Sequence, residues 1–485
     1  MTSIAAYDLC VIGAGIAGLN ALFVAKKYLP ASARVALIDR NERPGGMWNT
    51  TYDYVRLHQP HPMFTAGNIP WPLSKPRDYL ATGHEVQSHL QHCLGVIEDG
   101  LHVDKFWSSD VIAVDEFESD DGPFASVTMT PTGEDGTDQQ LHSKRVIFAK
   151  GLNVPEIRPL TFSSSKVESC MPETLSKYFE TDAPVYVVGG GKTGMDTVLE
   201  LGSSPGSREI SLIVGKGTLF NKRDMFFPTG LKRYLNPNSN LKMAVDIAMR
   251  FDGNNGDYVF DHFKENYTIT PGGRGERFMF GLLSEDECDR IEQLTDEFIY
   301  DYLEDVIDTD HGPAIVLRSG SRKPVKPGSV FINCTGHLFK GVDPRVMLLS
   351  EHSTILNLTS RASFHFLPAM SSYFLSHLFF SDKLKNGPYS IMDTDALLAS
   401  NKKDAFIVGI TQALLNSLLA LDDLSLKVFN EFGLDFDLWH PIHKRLAGLV
   451  NLQINRKKYI DHCQRTLATI GELNDAPNSL RGHAE

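Results

Sequence analysis

YDLCVIGAGIAGLNALFVAKKYL, Tyr7 to Leu29, and VYVVGGGKTGMDTVLEL, Val185 to Leu201, decide the fold. Each is a β-rich apolar run, a glycine cluster and a helix-forming run, the order of strand, tight turn and helix. Gly13, Gly15 and Gly18 in the first unit, and Gly189, Gly191 and Gly194 in the second, remove side chains where the chain turns and where a pyrophosphate approaches a helix N-terminus. Ile16 and Ala17 complete the first turn. Lys192 and Thr193 open the second helix, either beside a pyrophosphate or as solvent-facing capping residues. A triphosphate-binding loop would need glycine at position 186, where Tyr186 stands. The pattern predicts an α/β fold with two Rossmann-like dinucleotide-binding domains.

The two turns differ where each would name its ligand. Counting on from Gly18 to the ribose-reading position lands on Asp39, followed by Arg40; the same count from Gly194 lands on Gly215, followed by Lys216. A carboxylate accepts hydrogen bonds from a ribose diol, whereas glycine beside lysine leaves room and positive charge for a 2'-phosphate, which favours NADP over NAD. Two different dinucleotides are therefore expected.

A chain of 485 residues exceeds one ordinary core, so two or three domains are expected. The net charge of −13 and the lack of a long basic run argue against nucleic acid or anionic membrane as the main partner. The six cysteines are scattered without a CxxC pair, so neither a disulfide framework nor a zinc site is indicated, and a reducing, cytoplasmic compartment is expected. The first residues read as a strand rather than a signal peptide. Ala405 to Leu421 is the most apolar window, but its 17 residues include Thr411, Gln412, Asn416 and Ser417, and a buried helix is expected rather than a membrane span.

The second unit follows an apolar run at Val146 to Lys150, Gly151 and a proline-bearing segment from Val154 to Leu160, which reads as a crossing between domains; Val330 to Gly336 reads as the return. The second domain is thus expected to be inserted into a discontinuous first one. Residues 220 to 310 exceed what a dinucleotide domain needs and suggest a largely helical, substrate-side insert. Within it Ser284 and Glu287 have capping-box spacing ahead of a helix reaching Asp301, a structural feature. His84, His89 and His92 lack an acidic or cysteine partner at ligand spacing and read as surface or packing residues, with no metal.

With GAGIAG and Asp39, GGMW at Gly45 to Trp48, GGGKTG, and CTG at Cys334 to Gly336, the chain resembles the class B flavin-dependent monooxygenases, the group of flavin-containing monooxygenases, N-hydroxylases and Baeyer-Villiger enzymes. The resemblance implies FAD at Gly13, Gly15, Ile16, Ala17, Gly18, Asp39, Arg40, Gly46, Met47, Trp48 and Val111. It implies NADPH at Gly189, Gly191, Lys192, Thr193, Gly194 and Lys216, with Thr335 and Gly336 at the crossing. The implied domains are 1–160 (FAD, first part), 161–335 (NADP, with its insert) and 336–485 (FAD, second part, with C-terminal helices). In related folds the N-terminus of the helix at Met370 to Ser372, expected here after a last strand, faces the flavin pyrimidine; Ser371 and Ser372 are then flavin contacts, or simple N-caps.

The chain departs from the family's pattern. In FxGxxxHxxx(F/W), Phe162 fits, but Ser164, Glu168 and Pro172 replace the glycine, histidine and aromatic residue. In YxxLxTN, Tyr54 and Leu57 fit, while Gln59 and Pro60 replace threonine and asparagine. The proline-rich segment VRLHQPHPMFTAGNIPW holds its polar groups on a fixed backbone, making His58, Gln59 and His61 the catalytic candidates: His58 or Gln59 to donate a hydrogen bond to the flavin, His61 to move a proton near neutral pH. The alternative is that they support the loop. Arg56 is expected to pair with a phosphate or an internal carboxylate.

These residues lead to an FAD-dependent, NADPH-using oxidoreductase that oxygenates a small organic substrate through a flavin peroxide. An NADPH-dependent flavin reductase or oxidase without oxygen transfer, and a non-catalytic flavoprotein, stay open beside it.

Overall fold

A computed structural model describes residues 5–119, 122–132, 137–152, 156–205, 208–236, 238–336, 346–399, 403–433 and 436–474. Val154, in the expected crossing segment, lies outside them.

Two parallel sheets carry the two glycine turns. In the first, strand Leu9–Ile12 lies between Arg34–Ile38 and Val146–Phe148, with His102–Phe106 and Ile355–Asn357 at the edges. The two strands on one side of Leu9–Ile12 come from either side of the second sheet in sequence, so the first domain is discontinuous and the second is inserted into it. In that second sheet Val185–Val188 lies between Ile210–Ile213 and Val330–Asn333, flanked by Glu297–Ile299 and Glu168–Cys170. Both central strands are buried at every position, as a sheet covered on two faces requires.

The glycines explain why each strand turns where it does. At Gly13 (φ +105°) a Cβ would meet the Ala149 carbonyl oxygen at 2.3 Å, and at Gly189 (φ +125°) the Cys334 carbonyl oxygen at 2.5 Å. In both units the chain therefore leaves its strand pressed against the end of the neighbouring one, in a conformation and a space that admit only glycine. Gly18 and Gly194 repeat the contact one helical turn later, against the carbonyls of Gly13 and Gly189. The helices that follow, Ile16–Tyr28 and Lys192–Ser203, pack directly on their own turns.

The insert is smaller than expected. It runs from strand Thr218–Lys222 through four helices to strand Arg277–Leu283, and these two strands pair in a three-stranded sheet of its own. The capping box of Ser284 and Glu287 is formed, but its helix, Glu285–Leu294, stops short of Asp301, because Glu297–Ile299 is needed as an edge strand of the second sheet.

The C-terminal part is helical. Ala405–Asp423 is long and apolar enough to cross a membrane, yet 78% of that window is buried inside the fold. Gln412 and Asn416 use their amides to hold the carbonyls of Ser363, Phe364 and Ser390, which accounts for the polar residues in an apolar helix. No strand precedes helix Pro368–Phe380; the last strand of the first sheet is Ile355–Asn357.

Substituting Gly18→Ala puts a Cβ 1.8 Å from the Gly13 carbonyl oxygen, a backbone atom that cannot swing away, with Val11 Cγ1 at 3.4 Å. We expect a loss of at least about 2 kcal/mol and release of bound flavin, read as a lower melting temperature and a colourless preparation.

Candidate functional site

The first helix N-terminus is capped only by Gly15, which has no side-chain hydrogen bond to offer, so the first-turn N–H groups face outward. The GGMW segment folds against this turn: a Cβ on Gly46 would lie 3.1 Å from the Gly15 Cα, and Gly45 donates its N–H to the Ala14 carbonyl. Asp39 ties the sugar end of this groove to its phosphate end. One carboxylate oxygen accepts the Ala14 N–H at 2.6 Å, and the other accepts from the backbone and side chain of Asn41. Asn41 takes both lone pairs of its oxygen, and the oxygen that accepts from Ala14 keeps one for a ribose hydroxyl. Met47 is 55% exposed beside the half-buried Trp48, an apolar ledge on which a flat ring can pack. The groove fits FAD.

The second turn is built alike and reads differently. Gly191 caps helix Lys192–Ser203 without a side chain, and nothing lies within 4 Å of where its Cβ would stand. Gly215 (φ +60°) has the Tyr302 ring 2.6 Å from its would-be Cβ, so an acidic side chain is sterically barred from the ribose-reading position. Lys216, 56% exposed, stands next to it with Glu276 at 3.7 Å. Lys192 is paired with Asp196 one turn on, so it reaches a pyrophosphate only by leaving that partner. Thr335 is turned back on Asn333 through its hydroxyl, and Gly336 lies against Ile157.

Between the two turns three parts of the chain converge. Tyr52 donates to Asp196 at 3.0 Å, and the Tyr54 and Thr197 hydroxyls are 2.8 Å apart, which latches the loop after GGMW to the second glycine-turn helix. Burial raises Asp196 above the usual carboxylate range, an effect that Lys192 opposes. From the insert, Arg223 donates to the His58 carbonyl at 3.1 Å and forms an ion pair with Glu287. Burial opposes the charge on Glu287, but Arg223 and Lys192 outweigh it and the carboxyl is held low. The insert also supplies the Leu282 N–H to His58 Nδ1. That bond assigns the tautomer: His58 is neutral, with Nε2–H as its donor. Its pKa is pushed down to about 3, first by burial and then by Lys192 and Arg223. The neighbouring Gln59 Oε1 is buried without a hydrogen-bond partner among the described residues, an acceptor suited to a ligand donor.

His61 is not part of this convergence. It packs edge-on against Trp71 and Tyr79, with its Nδ1 on the Tyr79 carbonyl, and burial lowers its pKa. Trp71 stacks on His89, whose Nε2 meets the Thr65 hydroxyl. Arg56 has no carboxylate partner among the described residues; it donates to the Leu80 carbonyl and Tyr79 hydroxyl, closing the loop on itself. Ser371 and Ser372 are not N-caps, since the cap is Leu367; the Ser372 hydroxyl instead bonds the Ala17 carbonyl and docks its helix on the first glycine turn. Val111 lies in the core of strand Ser109–Ser119, its carbonyl held by Lys150. Arg40 is exposed just beyond Asp39. The Thr193 carbonyl accepts the Thr197 hydroxyl.

Residues 7–267 match the model of the pyridine nucleotide-disulphide oxidoreductase family, more than half of the chain. The chain belongs to that family. The match places it among pyridine nucleotide-linked oxidoreductases. Its fold is similar to that of an oxidized steroid monooxygenase bound to NADP, at 13% identity and a TM-score of 0.50 over 82% of this chain and 86% of that one. Lower on the same scale are a flavin-containing monooxygenase from Stenotrophomonas maltophilia (14% identity, TM-score 0.46, 78% and 98% covered) and a bacillithiol disulfide reductase from Staphylococcus aureus (11%, 0.46, 79% and 99%). An uncharacterized Mycobacterium tuberculosis protein is 26% identical over 68% of the chain; the chain spans 60% of that relative's length.

Because His58 is depressed in the fold, the stability it contributes is full above the ordinary imidazole value of 6.5 and is lost as pH falls toward 3. We expect melting temperature to fall between about pH 6.5 and 5, and to fall less in His58→Gln. Asp39→Ala removes the acceptor for the Ala14 N–H, and flavin titration should show affinity reduced by about tenfold to a hundredfold.

Proposed function

We propose that the protein is an NADPH-using flavin monooxygenase that oxygenates a small organic substrate, working in the cytoplasm. The observation that carries this reading is His58: a half-buried, neutral imidazole whose tautomer leaves one N–H donor at the meeting point of the FAD loop, the NADP helix and the insert. The expected second ligand is NADPH rather than NADH, because Gly215 under Tyr302 excludes an acid and Lys216 supplies the charge for a 2'-phosphate.

FAD would be held by the first glycine turn, Asp39 and the Gly46–Trp48 ledge, and when bound it supplies hydride acceptance from the nicotinamide and activation of oxygen. The protein's own residues do the rest. The Tyr52–Asp196 and Tyr54–Thr197 bonds hold the two dinucleotide domains in register, and the Arg223–Glu287 pair closes the seam from the insert side. His58 Nε2–H offers a donor that does not titrate near neutrality, and Gln59 Oε1 offers an acceptor for an amide or ring N–H. Burial of this seam keeps water from the reacting atoms.

The family's name includes disulphide reduction, and the thiols of this chain argue against it here. All six cysteines are unpaired and buried, and burial pushes Cys170 up to about 11 and Cys334 up to about 12. A thiolate relay needs accessible, low-pKa sulfur. The second reading is a flavin oxidase without oxygen transfer, favoured by Gln59 and Pro60 in place of the family's threonine and asparagine.

The test is anaerobic reduction by NADPH, then mixing with oxygen in the presence of a thioether, a tertiary amine or a cyclic ketone. We expect an oxygenated product from at least one probe, with hydrogen peroxide well below the NADPH consumed. Stoichiometric hydrogen peroxide with every probe overturns oxygen transfer, and failure of NADPH to bleach the flavin overturns the enzyme. Lys216→Ala should raise KM for NADPH by about tenfold and leave NADH unchanged.

A further inference from the structure

Helix Ile442–Asn474 packs one face on helices Asn240–Arg250 and Ala405–Asp423, where Arg456 is held by Asp422 and the Leu418 carbonyl. Its other face is not covered by the described residues of the chain. Ile442, Leu446, Leu449, Val450 and Ile454 recur at helical spacing along that face, and each is more than half exposed. Beside them Leu231, Tyr234 and Leu235, around the short helix Lys232–Leu235, are exposed to the same degree. Lys444 locks the two pieces into one surface, donating its ammonium to the carbonyls of Arg233, Tyr234 and Asn236. Eight large apolar side chains are thus exposed on two pieces of chain that Lys444 joins, the kind of surface that marks an interaction site.

The charge around this surface is not that of the whole molecule. The chain carries −13, yet residues 225–245 and 442–460 contain no aspartate or glutamate while holding Lys232, Arg233, Lys242, Lys444, Arg445, Lys457 and Lys458, besides Arg456, which Asp422 pairs on the packed face. The loop at 71–80 adds Lys75 and Arg77 against one carboxylate, Asp78. Arg77 lies over the buried Trp439 ring, 4.4 Å from its centroid, and Arg233 donates to the Trp439 carbonyl. Partial burial, followed by the charges of Arg233 and Arg445, lowers Arg77, so three guanidiniums crowd one another at the rim. Of the acids that flank these segments, Asp437 accepts the Leu241 N–H, Asp224 accepts the Glu285 N–H, Asp246 pairs with Arg250 and Asp422 with Arg456.

We propose that this face docks on an anionic lipid bilayer, with the apolar residues of helix Ile442–Asn474 and of 231–235 in the acyl boundary and the rim lysines and arginines among the headgroups. An apolar stripe flanked by one sign of charge is the pattern of a helix lying in the membrane plane. A two-fold pairing with a second copy is disfavoured by the same rim, because an isologous contact sets arginine against arginine. Docking here would bring the insert close to the membrane: Arg223, which touches the His58 carbonyl, lies in the helix Arg223–Phe226 immediately before the exposed Leu231–Leu235 piece, and Phe227 packs edge-on against Trp439. The chain's net negative charge acts against anionic surfaces in general, so binding should depend on this one face.

The test uses the full-length, flavin-loaded protein sedimented with vesicles of phosphatidylcholine alone or of phosphatidylcholine with phosphatidylserine. We expect partition onto the phosphatidylserine vesicles at least about tenfold stronger than onto phosphatidylcholine, weakened by salt. The triple variant Leu446→Ser, Leu449→Ser, Ile454→Ser should lose binding, and Lys457→Gln with Lys458→Gln should weaken it by about fivefold per lysine. All five residues are exposed, so the variants should keep the parent's melting temperature and flavin content. Absence of sedimentation with either vesicle overturns the proposal. So does a dimer in solution that the triple variant converts to monomer, since the face then belongs to a second copy.

Discussion

The contact on which this molecule depends is backbone against backbone. In each dinucleotide domain the first glycine leaves its strand touching the carbonyl at the end of the adjacent strand, Ala149 for Gly13 and Cys334 for Gly189. No side chain fits between them, and the Cβ of any other residue would have to displace a strand of the sheet. The same crossing is where the chain passes from one domain to the other, since Ala149 ends the strand before the inserted domain and Cys334 ends the strand before the return. Ligand groove, sheet order and domain connection are thus set by one kind of close approach used twice.

Those features were legible because they are local. A strand, a glycine cluster and a helix are written within about twenty-five consecutive residues, and the difference between Asp39 and Gly215 is a single position in each unit. The structure adds why that difference is strict: Tyr302 fills the place where a second acid would project. The buried helix at Ala405–Asp423 was legible too, its polar residues being the ones that later prove to hold carbonyls of 363–390.

The seam between the domains was only half legible. His58 and Gln59 stand out in a proline-rich loop, but Tyr52, Asp196, Arg223 and Glu287 carry no spacing signal, because their bonds join residues separated by between 64 and 165 positions. Glu287 shows the difficulty. Its capping-box spacing is real and the box forms, yet the same carboxylate also neutralises Arg223 beneath the FAD loop, so one residue serves a helix end and a buried ion pair. His61 stands out in the same loop for its chemistry, and the fold sets it against Tyr79 and Trp71, apart from the seam. Net charge is silent on placement in a similar way, since a sum of −13 over 485 residues conceals two segments, 225–245 and 442–460, that hold lysines and arginines and no acid.

The burial of all six thiols has a practical bearing on how the fold can be followed. Cys10, Cys334 and Cys463 lie in three separate packed regions, one under each glycine-turn sheet and one beneath the C-terminal helix. An alkylating reagent added to the intact protein finds no sulfur within reach, and each sulfur becomes reactive only when its own region opens. The set of modified cysteines, counted by mass after partial denaturation, therefore records which part of the molecule gave way first, without a single engineered label.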